Sequence, residues 1–137
     1  ILFISNQEEE KMLKTYIATV TKSPVVELDD KHVTLAFNDP KNTDKLSFKA
    51  LMGFFPCVGV VKEVVYWERA GVTVALLDCS ALIEAQKYCE SVGYDYNLEF
   101  IPHVTVARGE SQVEAMSHLI GKEVVMEDCY IRCKDFK

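Results

Sequence analysis

The pentapeptide His-Val-Thr-Leu-Ala at 32–36 returns as His-Val-Thr-Val-Ala at 103–107. Along an extended strand, residues i and i+2 point to one face and the residues between them to the other. Each copy therefore sets an imidazole beside a hydroxyl, His32 with Thr34 and His103 with Thr105. On the reverse face stand Val33 and Leu35, or Val104 and Val106, as apolar packing. Two of the chain's three histidines are used in this way. Such a chain needs a fold in which two strands pack on one side and leave the other side open.

The surrounding pattern alternates helices and strands. Ile1–Ile4 reads as a short strand. Ser5 and Glu8 match a capping box, and Met12, Leu13, Tyr16, Ile17 and Val20 recur at helical spacing, which predicts an amphipathic helix from Gln7 to about Lys22. The first motif strand covers about Lys31–Phe37, followed by a polar turn at 38–42. A helix is expected over Asp44–Met52. Val58–Trp67 and Val72–Leu77 read as a hairpin joined by Glu68-Arg69-Ala70-Gly71. Ser80 is expected to cap a helix with Leu82, Ala85, Cys89 and Val92 on one face and Gly93 as its stop. Phe100–Arg108 is the second motif strand. A capping box at Ser111–Glu114 opens a helix ending at Gly121, and Val124–Arg132 closes the set as a strand. Each motif strand thus follows an amphipathic helix, a loose duplication expected to pack as two lobes of one domain spanning 1–137.

Length and charge bound the functions available. One domain of 137 residues buries about two-thirds of its unfolded surface. No apolar run is long enough to span a bilayer, and no secretory signal is visible. The chain opens on Ile1 rather than methionine, which suggests a piece of a larger polypeptide. With 21 acidic and 15 basic residues the net charge is −6, the wrong sign for gripping a long duplex. A nucleic-acid ligand would have to be short and held by a few placed donors. The five cysteines are odd in number and form no Cys-x-x-Cys pair, so they read as reduced, mostly buried thiols of a cytoplasmic protein. Cys129 and Cys133 can share a strand face, but two ligands do not make a zinc site.

Two His-x-Thr strands facing each other bring two imidazoles and two hydroxyls to one point. Histidine exchanges protons near neutral pH. One imidazole on each side of a phosphorus atom lets one ring deprotonate a nucleophile while the other protonates the leaving oxygen. The threonines can donate to non-bridging phosphate oxygens, and neither a metal nor another cofactor is required. Taken singly, each His-Val-Thr is an ordinary strand with a polar face; it is the matched pair that points to a site. Arg108, directly after the second motif, is a phosphate donor or a plain surface residue. Tyr66, Trp67, Tyr94, Tyr96 and Phe100 are either packing residues or platforms for nucleobases. Lys41 and Lys45 read as solvated charges or as part of a turn over the site, His118 as a solvent-facing helix residue, and Glu8–Glu10 as a helix start.

The motifs His32-Val33-Thr34-Leu35 and His103-Val104-Thr105-Val106, the second flanked by Pro102 and Ala107-Arg108, resemble those of the 2H phosphoesterase superfamily. The resemblance implies a bilobal, pseudo-symmetric α+β fold with antiparallel sheets lining a central cleft and helices packed outside. It implies His32 and His103 as catalytic residues, with Thr34, Thr105 and Arg108 binding substrate. In compact size the chain is similar to the viral branch, whose members degrade 2′,5′-oligoadenylate and blunt the host RNase L antiviral response; a domain of a torovirus-like polyprotein is the leading expectation. The expected protein is a monomeric phosphodiesterase of the host cytoplasm, acting on a short oligonucleotide, with no membrane or duplex partner. Two alternatives stay open: an RNA 2′,3′-cyclic phosphodiesterase of the same superfamily, and a non-catalytic module that binds RNA ends.

Overall fold

The computed structural model describes residues 13–38, 46–94, 96 and 99–135. Its first element, β1, is the strand Leu13–Lys22, where helical spacing predicts the second half of a helix. From Tyr16 to Thr21 every residue but Ala18 is aromatic or β-branched, which suits a pleated strand better than a helix. This strand is internal to the sheet, and Ala18 on one face is as fully buried as Ile17, Thr19 and Thr21. A strand buried on both sides shows no alternation, so its apolar positions can imitate another period. The Ser5–Glu8 capping box and the Ile1–Ile4 strand lie outside the described residues.

Five more strands follow among the described residues: β2 (His32–Asn38), β3 (Cys57–Trp67), β4 (Val72–Asp78), β5 (His103–Arg108) and β6 (Glu123–Asp135). They join in one six-stranded sheet of order β2-β1-β6-β3-β4-β5, and every neighbouring pair is antiparallel. The fold is α+β. Its strands form a single continuous sheet rather than separate sheets, and the two motif strands, β2 and β5, are its two edges. The expected β3–β4 hairpin is present; Gly71 in its turn adopts φ +63°, a conformation glycine takes without strain.

Among the described residues three helices accompany the sheet: α1 (Phe48–Met52), α2 (Ser80–Ser91) and α3 (Val113–Met116). In α1 the Ser47 hydroxyl accepts from the amide of Ala50 at 3.1 Å, a side-chain cap of the kind that starts helices. Residues 39–45, which carry the rest of the helix predicted from Asp44 as well as Lys41 and Lys45, are not described. Helix α2 buries Leu82, Ala85 and Cys89 as its spacing predicts. Its N-cap is Cys79 rather than Ser80, and no side chain caps it. The helix expected over 111–121 shrinks to α3 and a 3-10 turn at Ser117–Leu119, and its capping box does not form. The duplication is therefore half realised: α2 precedes β5, but a strand precedes β2.

The helices and strands share one hydrophobic core. Val33 and Leu35 of β2, Val64 of β3, Ala75 and Leu77 of β4, Val104 of β5 and Val124 and Met126 of β6 meet Leu51, Leu82, Ala85 and Cys89 from the helices. Leu28, in a 3-10 turn before β2, and Leu119 complete it. This packing lies on one face of the sheet, and the opposite face carries the smaller apolar cluster of Val72, Val74 and Leu76. Cys57, Cys79, Cys89 and Cys129 are buried free thiols. No helix among the described residues is long and apolar enough to cross a membrane.

Candidate active site

Strand register decides where the motif side chains point. His32 pairs with Val20 and Thr34 with Ala18, while Val33 pairs with Thr19, whose side belongs to the core. On the other edge His103 pairs with Leu76 and Thr105 with Val74, while Val104 pairs with the core residue Ala75. Followed through β6 and β3, the pairing puts both His–Thr sets on the same face, the one turned away from the helices. The twist and coil of the sheet bring its two edges together, with Cα atoms of β2 and β5 within 8 Å. A cavity of about 440 Å³ opens between them, lined by Asp30, Lys31, His32, Thr105, Val106, Ala107 and Arg108.

Of the five predicted site residues, His32, Thr105 and Arg108 thus share one cavity. Thr34 and His103 are not among its lining residues; each lies two positions along its strand from one that is. Because the edges run antiparallel, the start of β2 lies by the end of β5. Arg108 reaches the shared face through a β-bulge. Strict alternation from Thr105 would turn residue 108 to the core, but Val106 is extra in the pairing, so Ala107 pairs with Thr73 and Arg108 with Val72. A bulge of this kind re-aims the side chains beyond it.

The two imidazoles sit in different surroundings. His103 is half-buried beside a second apolar cluster of Val72, Val74 and Leu76 with Val65, Trp67 and Ile101. Its ring lies edge-on to Trp67, centroids 4.4 Å apart at 63°. Burial pushes its pKa below the ordinary histidine range, and a hydrogen bond from Nδ1 to the carbonyl oxygen of Ile101, 2.8 Å, partly opposes that shift. His32 is exposed, and its Nδ1 meets the hydroxyl of Tyr130 at 2.5 Å, with the two rings close to perpendicular. Tyr130 pairs with Ala18, the residue that also faces Thr34, so it shares the face of the first motif.

The turn before β2 is tightly held. The Thr21 hydroxyl donates to the Leu28 carbonyl at 2.6 Å and accepts from the Lys31 amide at 2.9 Å. The Thr21 amide donates to the Lys31 carbonyl, and the Asp30 amide to the Thr21 carbonyl. Asp30 adopts φ +55°, the left-handed region that Asp and Asn tolerate better than most residues. These bonds fix Lys31 and Asp30 at the cavity mouth. Neither was singled out by sequence reasoning; the only available signal was their position directly before the motif.

The remaining candidates separate clearly. Of the five aromatics, Trp67 contacts a motif imidazole, that of His103. Tyr94 is buried. Tyr96 packs edge-on against Phe100 at 5.1 Å and lies 6.3 Å from Phe37, and the Tyr66 hydroxyl donates to the Gly109 carbonyl. His118 is exposed and paired with Glu27 at 3.1 Å, as a surface residue. Among the described residues no group of three or more His, Cys, Asp or Glu side chains is arranged to hold a metal ion. No family model and no curated protein matches the chain.

Proposed function

We propose that this protein is a metal-independent phosphodiesterase of the 2H type that cleaves 2′,5′-linked oligoadenylate. The observation that carries the reading is the convergence of the two edge strands. His32 from the first motif, and Thr105 with Arg108 from the second, line one cavity between matched His-x-Thr strands on one face. The resemblance of those motifs to the 2H superfamily supplies the reaction class, and the similarity to its viral branch supplies the substrate and the role against the host RNase L pathway. The arrangement of β2, β1 and β6 on one side and β5, β4 and β3 on the other is compatible with the two pseudo-symmetric lobes of that superfamily.

In this reaction the 3′-hydroxyl next to the scissile bond attacks phosphorus and gives up its proton to one imidazole. The P–O bond to the 5′-oxygen breaks, and the other imidazole protonates that oxygen. The products are a 2′,3′-cyclic phosphate and a 5′-hydroxyl. The threonine hydroxyls and the Arg108 guanidinium hold the non-bridging oxygens, whose charge grows in the transition state. In a chain of net charge −6, Arg108 and Lys31 outweigh Asp30 at the cavity and give it a local attraction for an anion.

Incubation with 2′,5′- and 3′,5′-linked adenylate trimers and a 2′,3′-cyclic nucleotide tests the reading. Cleavage of the 2′,5′ trimer alone, undiminished by EDTA, is expected. His32→Ala and His103→Ala should each lose about 10²–10⁴-fold, and Thr34→Ala or Thr105→Ala the equivalent of about 1–3 kcal/mol. Opening of the cyclic nucleotide alone would transfer the site to RNA end processing. Binding without turnover would make the protein a recognition module, and loss of turnover on chelation would overturn the metal-free mechanism.

A further inference from the structure

We infer that the two imidazoles have fixed and different roles: His103 takes the proton from the nucleophile, His32 delivers one to the leaving oxygen, and Tyr130 is the positioning residue that orients His32 for that transfer. The inference rests on the phosphodiesterase reading and refines it.

The hydrogen bonds at the two Nδ1 atoms carry the argument. At His103 the partner of Nδ1 is the Ile101 carbonyl, which has no hydrogen to give, so Nδ1 must carry the proton and donate. The lone pair of the neutral ring is then on Nε2. The surroundings of this ring, Trp67 with Val74 and Leu76, disfavour a charge on it. A neutral imidazole with its lone pair at the free nitrogen is the form a general base needs.

At His32 the partner of Nδ1 is a hydroxyl, which both donates and accepts. When the ring is protonated, Nδ1–H donates to the Tyr130 oxygen and Nε2–H is left for the leaving group. After the transfer the ring keeps its Nδ1 proton and the same bond, so it need not turn between steps. His32 is exposed, so its Nε2 is open to a substrate oxygen. Tyr130 reaches it from β6 across the small side chain of Ala18, which pairs with both Tyr130 and Thr34 and is fully buried. A neutral hydroxyl does this without adding negative charge beside the phosphate, as a carboxylate would.

The test compares two substrates that share a nucleophile and a phosphorus centre: adenylyl-(2′,5′)-adenosine and adenosine 2′-(4-nitrophenyl phosphate). Nitrophenolate leaves without a proton, so a lost general acid matters only for the first. With the full chain, His32→Ala is expected to lose about 10²–10⁴-fold on the dinucleotide and to stay near wild type on the nitrophenyl ester. His103→Ala should lose activity on both. Tyr130→Phe, which removes one oxygen, should lose about tenfold on the dinucleotide and nothing on the ester; a merely structural role would lower both equally. If His103→Ala fails to fold, His103→Asn, whose amide can replace Nδ1 as donor to Ile101, is read instead. The reverse pattern, with His103→Ala spared on the ester, overturns the assignment. Equal or absent effects of Tyr130→Phe on the two substrates remove its positioning role. Failure of the wild type on both substrates would instead sink the phosphodiesterase reading itself.

Discussion

Trp67 illustrates how much one residue can set at this site. Its ring is the aromatic neighbour of His103, and burial is the main cause of the lowered pKa there. Trp67→Ala admits water to the imidazole, so the His103 pKa should rise toward the usual value of about 6.5, as followed by NMR titration of the ring protons. The sign for stability follows from proton counting. Between the lowered folded pKa and the unfolded value, the unfolded chain binds a proton that the folded chain does not. Stability therefore rises with pH across that window and falls as the solution is acidified through it. Trp67→Ala should narrow the window, and denaturant titrations at stepped pH would show a flatter profile. For a base that must be neutral, the same change moves the acid limb of the rate profile to higher pH. An unmoved His103 titration would show that Trp67 is not the cause.

At the level of elements, two irregularities position the site. The bulge at Val106 turns Arg108 to the face of Thr105, and the bonded turn before β2 delivers Lys31 and His32 to the cavity. Thr21 anchors that turn through its buried hydroxyl, which satisfies both the Leu28 carbonyl and the Lys31 amide. Thr21→Val keeps the shape and removes both bonds, leaving buried polar groups unpaired at a cost of about 1–3 kcal/mol. Urea denaturation should register that loss, and faster hydrogen exchange at the Lys31 amide should accompany it. Unchanged exchange at Lys31 would mean that the other turn bonds suffice.

Across the whole molecule, the shared core ties the two edges together. Val33 and Leu35 of β2 and Val104 of β5 belong to the same cluster as Leu82 of α2. The sheet and helices should therefore unfold in one transition, with Trp67 fluorescence and far-UV circular dichroism coinciding. Leu82→Ala, at a fully buried position, should cost about 2–5 kcal/mol and lower both signals together. Separate transitions would indicate two lobes that hold themselves up independently.

Much of this was legible in the chain. The His-x-Thr pairs share faces because alternation is a local property of extended backbone. The hairpin turn at Gly71 and the apolar stripe of α2 likewise follow from neighbouring residues. Helical spacing fails over β1 because Ala18 is buried along with Ile17 and Thr19, so the strand leaves no clean alternating signature. Arg108 stands out by its place directly after the second motif, but its face depends on a bulge that only pairing with β4 reveals. Tyr130 and Trp67 could not be matched to their histidines, since each lies on another strand far along the sequence; Tyr130 is 98 residues from His32.

By itself the sequence determined which residue types stand side by side on each strand, because Cβ direction in extended backbone repeats every two positions. Tertiary structure alone decided that the two strands become the edges of one curved sheet, that those edges meet, and which ring each imidazole leans on. Such facts depend on hydrogen-bond register and burial between segments distant in the chain, where neighbouring residues carry no information.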